Sequence, residues 1–163
     1  MSGTRAPKIG LAELEDLEAI LGLQKLAFRS EAELYNDFSL PPLTQTLESI
    51  KADFCQKIIL KACVADVIVG SVRGFRNDST CYVERLIVHP TCQGRGIGTA
   101  LMRALEDRFP GVERYELFTG HRSERNIRLY QKLGYSVHRR EGMLVFMEKT
   151  AEVSFSPMRS NLR

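Results

Sequence analysis

The string Gln93-Gly94-Arg95-Gly96-Ile97-Gly98 most constrains what this chain can fold into. It follows a β-rich run, Cys81 to Val88, that His89-Pro90 ends. It opens an amphipathic segment with Ile97, Ala100, Leu101, Ala104, Leu105 and Phe109 on one face, and Pro110-Gly111 stops that segment. Glycines between a strand and a helix let successive amides point at an anion, and the helix N-terminus adds positive potential. A P-loop is excluded, since no Gly-x-x-x-x-Gly-Lys-Ser/Thr string occurs. A dinucleotide fingerprint fails in both registers, because its last glycine position falls on Thr99 or Leu101. Taken alone, the three glycines fit a phosphate cradle and a helix-packing turn equally well.

Around the loop the pattern alternates strands with helices. Pro7 to Leu11 reads as a short strand, residues 13–28 as an amphipathic helix, and Thr44 to Phe54 as another. Ser30 to Leu40 between them reads as irregular or as a short helical piece. Ile58 to Val64 and Val67 to Phe75 form a predicted hairpin about Ala65-Asp66, and Arg76-Asn77-Asp78-Ser79 a polar turn. Strict alternation on the third strand puts Tyr82, Glu84, Leu86 and Val88 on one face, and Cys81, Val83, Arg85 and Ile87 on the other. Tyr115 to Thr119 is a strand, and Ser123 to Leu133 a helix capped by Ser123 and closed by Gly134. Tyr135 to Arg140 and Met143 to Glu148 give a closing hairpin. The expected class is α/β, a mixed central sheet of six to seven strands flanked by about four helices. Residues 1–150 form the expected single domain, and residues 151–163 lose periodicity and read as a fraying tail.

Composition narrows the function. The chain has 163 residues, 44% hydrophobic and 26% charged, which suits one folded domain. No run of about eighteen apolar residues and no apolar leader occurs, so a soluble cytoplasmic protein with no membrane partner is expected. A formal charge of +3 is modest for a protein held to nucleic acid through phosphates, so no nucleic-acid partner is expected. The densest basic group, Arg122, Arg125, Arg128, Lys132, Arg139 and Arg140, reads as a solvated helix face with a small-anion role. Cys55, Cys63, Cys81 and Cys92 form no C-x-x-C pair, and His89, His121 and His138 are scattered, so free buried thiols and no metal are expected.

Two strings carry a family resemblance. Val83 to Met102, with Gln93, Gly96 and Gly98 in register, resembles the acetyl-CoA-binding motif Gln/Arg-x-x-Gly-x-Gly/Ala of the GNAT N-acetyltransferase superfamily. Ile127 to Tyr135, with Leu129-Tyr130-Gln131-Lys132-Leu133-Gly134-Tyr135, resembles its second signature, Leu-Tyr-x-Lys-x-Gly-Phe/Tyr. The resemblance covers Ile58 to Lys149; the N-terminal helices match only in kind. Many members carry Asn where this chain has Ser123, and Asn126 follows within the same helix. Either side chain is a candidate cofactor contact.

The resemblance implies a GNAT fold and direct acetyl transfer from acetyl-CoA to an amine of a small molecule or peptide, without a covalent enzyme intermediate. A non-catalytic acyl-CoA-binding sensor or regulatory module is the alternative. By analogy, pyrophosphate lies on the amides of Gln93, Gly94, Arg95, Gly96, Ile97, Gly98 and Thr99. The pantetheine arm lies along Leu86, Ile87 and Val88, with the Val88 amide as oxyanion donor. Tyr130 matches the general acid for the departing sulfur; its plainer reading is a core aromatic. Glu84 is the candidate base, or else the ion-pair partner of Arg85 or Arg73. Cys92, three residues after His89, reads as a neutral loop thiol. Glu31, Glu33 and Asp37 read first as surface charges and second as attractors of a cationic amine. Dimerisation is common in the family, and the sequence does not decide it.

Overall fold

The structure is a computed structural model that describes residues 5–152. Its centre is one seven-stranded sheet in the order β1-β2-β3-β4-β5-β7-β6. The strands are β1 (Lys8–Leu11), β2 (Ile58–Val64), β3 (Val67–Asn77), β4 (Thr80–Val88), β5 (Arg114–Gly120), β6 (Ser136–Glu141) and β7 (Leu144–Thr150). All neighbours pair antiparallel except β4 and β5, which are parallel. The helices are α1 (Leu17–Tyr35), α2 (Pro41–Thr44), α3 (Leu47–Gln56), α4 (Ile97–Asp107) and α5 (Glu124–Lys132). None of the described helices is long and apolar enough to cross a membrane.

Alternation along the strands builds a core on each face of the sheet. Leu60, Ala62, Val72, Cys81 and Val83 meet Leu101, Met102 and Leu105 of α4 and Tyr130 of α5. On the opposite face Ile59 meets Leu17, Ile20 and Leu21 of α1 and Ile50 of α3. The β2–β3 hairpin turns where expected, at Ala65 and Asp66, which both take positive φ as a two-residue hairpin turn requires.

Two expectations change at the level of elements. The first helix does not end at residue 28 but runs to Tyr35, where Asn36 in the left-handed region closes it. Most of the stretch from Ser30 is therefore regular helix, and it carries Glu31 and Tyr35 along one face. Strict alternation on β4 also fails. Glu84 pairs with Arg73 and Ile87 with Ser71, so β4 holds one residue more than β3 across that interval, and Arg85 takes φ 53. This is a β-bulge, and it reverses the faces beyond it. Leu86 and Val88 consequently pack toward the α4 side with Cys81 and Val83. The expected tail falls from residue 153 outside the described residues.

The bulge coincides with a break in the sheet. Parallel pairing between β4 and β5 is confined to Thr80–Tyr82 against Arg114–Glu116. Beyond Tyr82 no further β4–β5 pairing occurs, and the edge of β4 facing β5 has no partner strand among the described residues.

Candidate acyl-transfer site

The open edge of β4 leads directly into the glycine loop. His89 donates its N–H to Val69 on β3 at 2.7 Å. Backbone N–H groups alternate sides along an extended chain, so the Val88 N–H turns toward the gap. Gly94 and Gly96 take φ 77 and 79, a region that residues with a Cβ avoid. Gly96 has open space where a Cβ would stand. No backbone N–H from Gly94 to Thr99 donates to the protein among the described residues. These unpaired amides gather at the N-terminus of α4, an arrangement suited to a diphosphate.

The expected contact residues divide by what they can offer. Ile87 and Ile97 are buried, so only their main-chain atoms are available. Ile97 and Leu101 fill the space beside Gly70. Gly98 serves packing as well: a Cβ there would stand 3.3 Å from Leu129, tightening α4 against α5. Gln93 and Arg95 are exposed. Arg125 of α5 joins them, its guanidinium 3.9 Å from the Cβ position of Gly94. The sequence placed Arg125 in a basic group but did not connect it to the loop, since that proximity depends on how α4 and α5 pack.

Tyr130 is buried against this region, edge-on to Tyr135 with ring centroids 6.0 Å apart. Its hydroxyl makes no hydrogen bond among the described residues. Burial, reinforced by the negative charge of Glu31, raises its pKa and holds the phenol protonated through the neutral range. Ser123 stands at the N-cap of α5 but does not cap it with its side chain. Its hydroxyl donates to Glu31 Oε2 at 2.6 Å instead. Asn126 Nδ2 lies 3.5 Å from Glu31 Oε1. Tyr35, one turn after Glu31, accepts the Arg122 N–H at 2.8 Å and stacks obliquely on His121. The C-terminal half of α1 is thereby fastened to the β5–α5 connection.

Glu84 is held elsewhere. It accepts from Lys57 Nζ at 2.7 Å, so its ion-pair partner is Lys57 rather than Arg73 or Arg85. Lys57 also pairs with Asp53 at 3.3 Å. Arg73, fully buried, reaches Gln24 at 2.6 Å and both Gln45 and Asp53 at 3.0 Å, while its Nε has no partner among the described residues. Burial lowers the Arg73 pKa to about 10, against the opposing pull of Asp53. The network ties α1, the segment before α3, the C-terminal half of α3 and the sheet together beside the bulge.

The remaining expectations resolve simply. All four cysteines are free, but only Cys81 is buried; Cys92 is half-buried in its loop and Cys55 is exposed. The histidines are not all isolated. His138 lies with Glu116 and Glu148, their ligand atoms within 4.8 Å of one another; the closing hairpin already joined β6 to β7, but the sequence did not place β5 beside them.

The sequence model of the acetyltransferase (GNAT) family matches residues 18–135. The chain belongs to the GNAT family. Solved structures of the same fold include the PaiA N-acetyltransferase of Thermoplasma acidophilum in complex with coenzyme A. That match has 17% identity and a TM-score of 0.80, covering 90% of this chain and all of that one. The ribosomal-protein-S18-alanine N-acetyltransferase of Escherichia coli matches at 16% identity and TM-score 0.73, over 97% of this chain and 99% of that one. YncA of Salmonella typhimurium, a putative acetyltransferase with its cofactor acetyl-CoA, matches at 20% and 0.72, over 94% and 98%. No curated protein matches by sequence. The parted strands, the bulge and the glycine loop are thus features of a GNAT chain.

Proposed function

We propose that this protein is an acetyl-CoA-dependent N-acetyltransferase that moves an acetyl group directly to an amine of a small molecule or peptide. The observation that carries this reading is the unpaired edge of β4, which ends in free amides at the glycine loop and passes beside Tyr130. Such an edge accepts an extended amide-bearing arm as it would accept a strand. The loop amides and Arg125 supply positive potential for the diphosphate at its far end.

Acetyl-CoA supplies the activated acyl group; the chain supplies placement and polarity. Leu86, Ile87 and Val88 offer main-chain groups to the pantetheine arm. The Val88 N–H, turned into the gap, is the oxyanion donor. Ser123 and Asn126 border the same space at the start of α5. Tyr130 holds the proton that the departing sulfur needs. Glu84, oriented by Lys57, is the base that strips the acceptor, directly or through water. The Gly94-to-Thr99 segment needs only its backbone for this role, which is why its side chains vary from glycine to arginine and isoleucine.

The test separates an enzyme from a binding module. Titration calorimetry with acetyl-CoA measures binding, and release of free thiol across amines, amino acids, aminoglycosides and peptides measures turnover. Tyr130→Phe is expected to lower turnover about 10²-fold and to leave acetyl-CoA affinity unchanged. Binding without turnover on any acceptor supports the sensor alternative. No association at millimolar acetyl-CoA removes both readings.

A further inference from the structure

Glu116 on β5 and Glu148 on β7 stand directly opposite each other in the antiparallel register, so their side chains leave the same face of the sheet. Like charges in that position are unfavourable. The neighbouring arginines are engaged elsewhere. Arg114 Nε lies 3.8 Å from Glu116, beyond hydrogen-bond reach, and donates to Thr80 Oγ1 at 3.0 Å. Arg139 pairs with Glu141 at 3.1 Å and lies over the Phe146 ring.

A third donor reaches the pair from β6. Val137 faces Met147 and Arg139 faces Phe146, so His138 is an extra residue with no partner on β7. Such a bulge re-aims a side chain out of the regular alternation. Here it brings His138 Nδ1 to 3.5 Å from Glu148 Oε1, and the donor atoms of His138, Glu116 and Glu148 all lie within 4.8 Å of one another. Tetrahedral zinc, with bonds of about 2.0–2.2 Å, holds its donors roughly 3.4 Å apart. The His138–Glu148 spacing already meets that separation, and a modest side-chain rotation of Glu116 closes the rest. Glu116 and His138 also line a cavity of about 260 Å³ with Arg139 and Phe146, which leaves room for a water as fourth ligand.

We propose that His138, Glu116 and Glu148 bind one zinc ion, which clips the edge strand β6 to β7 and β5. The ion offsets the facing carboxylates, and an imidazole beside two carboxylates selects zinc over magnesium or calcium, which take oxygen donors. The clip acts where the sheet is held least: every residue of β6 is exposed, and its only strand partner among the described residues is β7. The site lies apart from the acyl-transfer gap, since Glu116 sits where β5 is still paired with Tyr82 of β4. The inference therefore stands independently of the acetyl-transfer reading. No metal motif stood in the sequence, because the three donors come from three strands.

The experiment titrates the full chain, with its thiols kept reduced, with zinc chloride by calorimetry at pH 7.5. Glu116→Gln, Glu148→Gln and His138→Ala are titrated alongside, and Cys55→Ser controls for binding at the exposed thiol. Thermal melting without zinc verifies the fold of each variant. Loss of an outer-shell partner alone costs about 10–100-fold in metal affinity, so each ligand substitution is expected to weaken binding by about tenfold or more. Cys55→Ser is expected to leave the affinity unchanged. Zinc at about a hundred times its dissociation constant should raise the wild-type melting midpoint by about 5 °C or more. In wild type, NMR of the imidazoles should show His138 perturbed by zinc while His89 and His121 are not, a readout that needs no variant to fold. No association at about 1 mM zinc overturns the proposal. Binding that all three ligand variants retain overturns it, as does binding that perturbs another histidine and not His138. Displacement of zinc by an equal concentration of magnesium or calcium overturns it as well.

Discussion

Glu84 and Ser123 show how far a side chain's neighbours can lie from its sequence context. Glu84 has Arg85 beside it in sequence and Arg73 opposite it in register, yet it pairs with Lys57 at the end of α3. Lys57 bridges Glu84 and Asp53, so the base proposed for the reaction also belongs to the charged network that holds α3 down. This predicts a separable result. Glu84→Gln keeps a group that accepts from Lys57 but cannot take a proton. It should lower kcat about 10²-fold and remove the acidic limb of the rate–pH profile, with little change in thermal midpoint. Profiles that superimpose for the two proteins remove Glu84 from proton transfer. Ser123 teaches the complementary lesson. The sequence offered its hydroxyl to the first turn of α5, which is the local choice. A carboxylate 92 residues away in sequence forms a shorter, charge-assisted bond and takes it instead. The N-cap position was readable, and the destination of the hydroxyl was not, because the competing partner sits on another helix.

At the scale of elements, α1 and the β5–α5 connection form a single joint. Gly120 ends β5 directly beneath Tyr35, and a Cβ at Gly120 would overlap the tyrosine hydroxyl and ring. Gly120→Ala must therefore displace the Tyr35 ring or the helix that carries it, and overpacking of this kind costs about 1–3 kcal/mol. Urea denaturation should show that loss in the wild-type background and much less of it when Tyr35 is also replaced by alanine. Equal losses in both backgrounds would mean that the joint is not where the strain falls. The same scale explains two failures of the sequence reading. Period-2 alternation predicts faces correctly only while register is kept, and β4 inserts Arg85 at φ 53 between two well-paired segments. Arginine is not a residue whose identity announces a left-handed bulge, so the reversal at Leu86 was invisible. The extension of α1 was missed because Ser30-Glu31-Ala32-Glu33-Leu34-Tyr35 is mostly polar. It makes a helix through the packing of Ala32 and Tyr35 rather than through a broad apolar stripe.

For the molecule as a whole, the glycine string and the Leu-Tyr-x-Lys-x-Gly-Tyr string were legible because both depend on backbone geometry that few residues can satisfy. The parting of β4 from β5 was not, since it is a property of two strands and appears in neither alone. A third whole-molecule property emerges only with the core: several acidic groups are buried in their protonated form. Burial, with the charge of Glu106, raises the Cys81 thiol to about 12 from 9.0. Burial first, and then Glu31 for Tyr130 and Glu106 for Tyr135, raises both tyrosines as well. A group whose pKa is raised on folding contributes stability that is fully present below its unfolded value and is lost as pH climbs toward its folded value. Arg73 has the opposite sign: lowered to about 10 from 12.5, it favours the folded state only as pH rises above about 10. Between pH 8 and 10 the thiol is therefore the cleanest contributor, and its linkage amounts to about 1 kcal/mol lost by pH 10. Cys81→Ala removes the titration, while the cavity it leaves costs the same at every pH. The stability gap between wild type and Cys81→Ala, measured by urea unfolding, should accordingly narrow by about 1 kcal/mol from pH 7.5 to pH 10. A gap that stays constant across that interval would show that the folded and unfolded thiols titrate together, and that burial at the centre of the sheet does not hold the proton on Cys81.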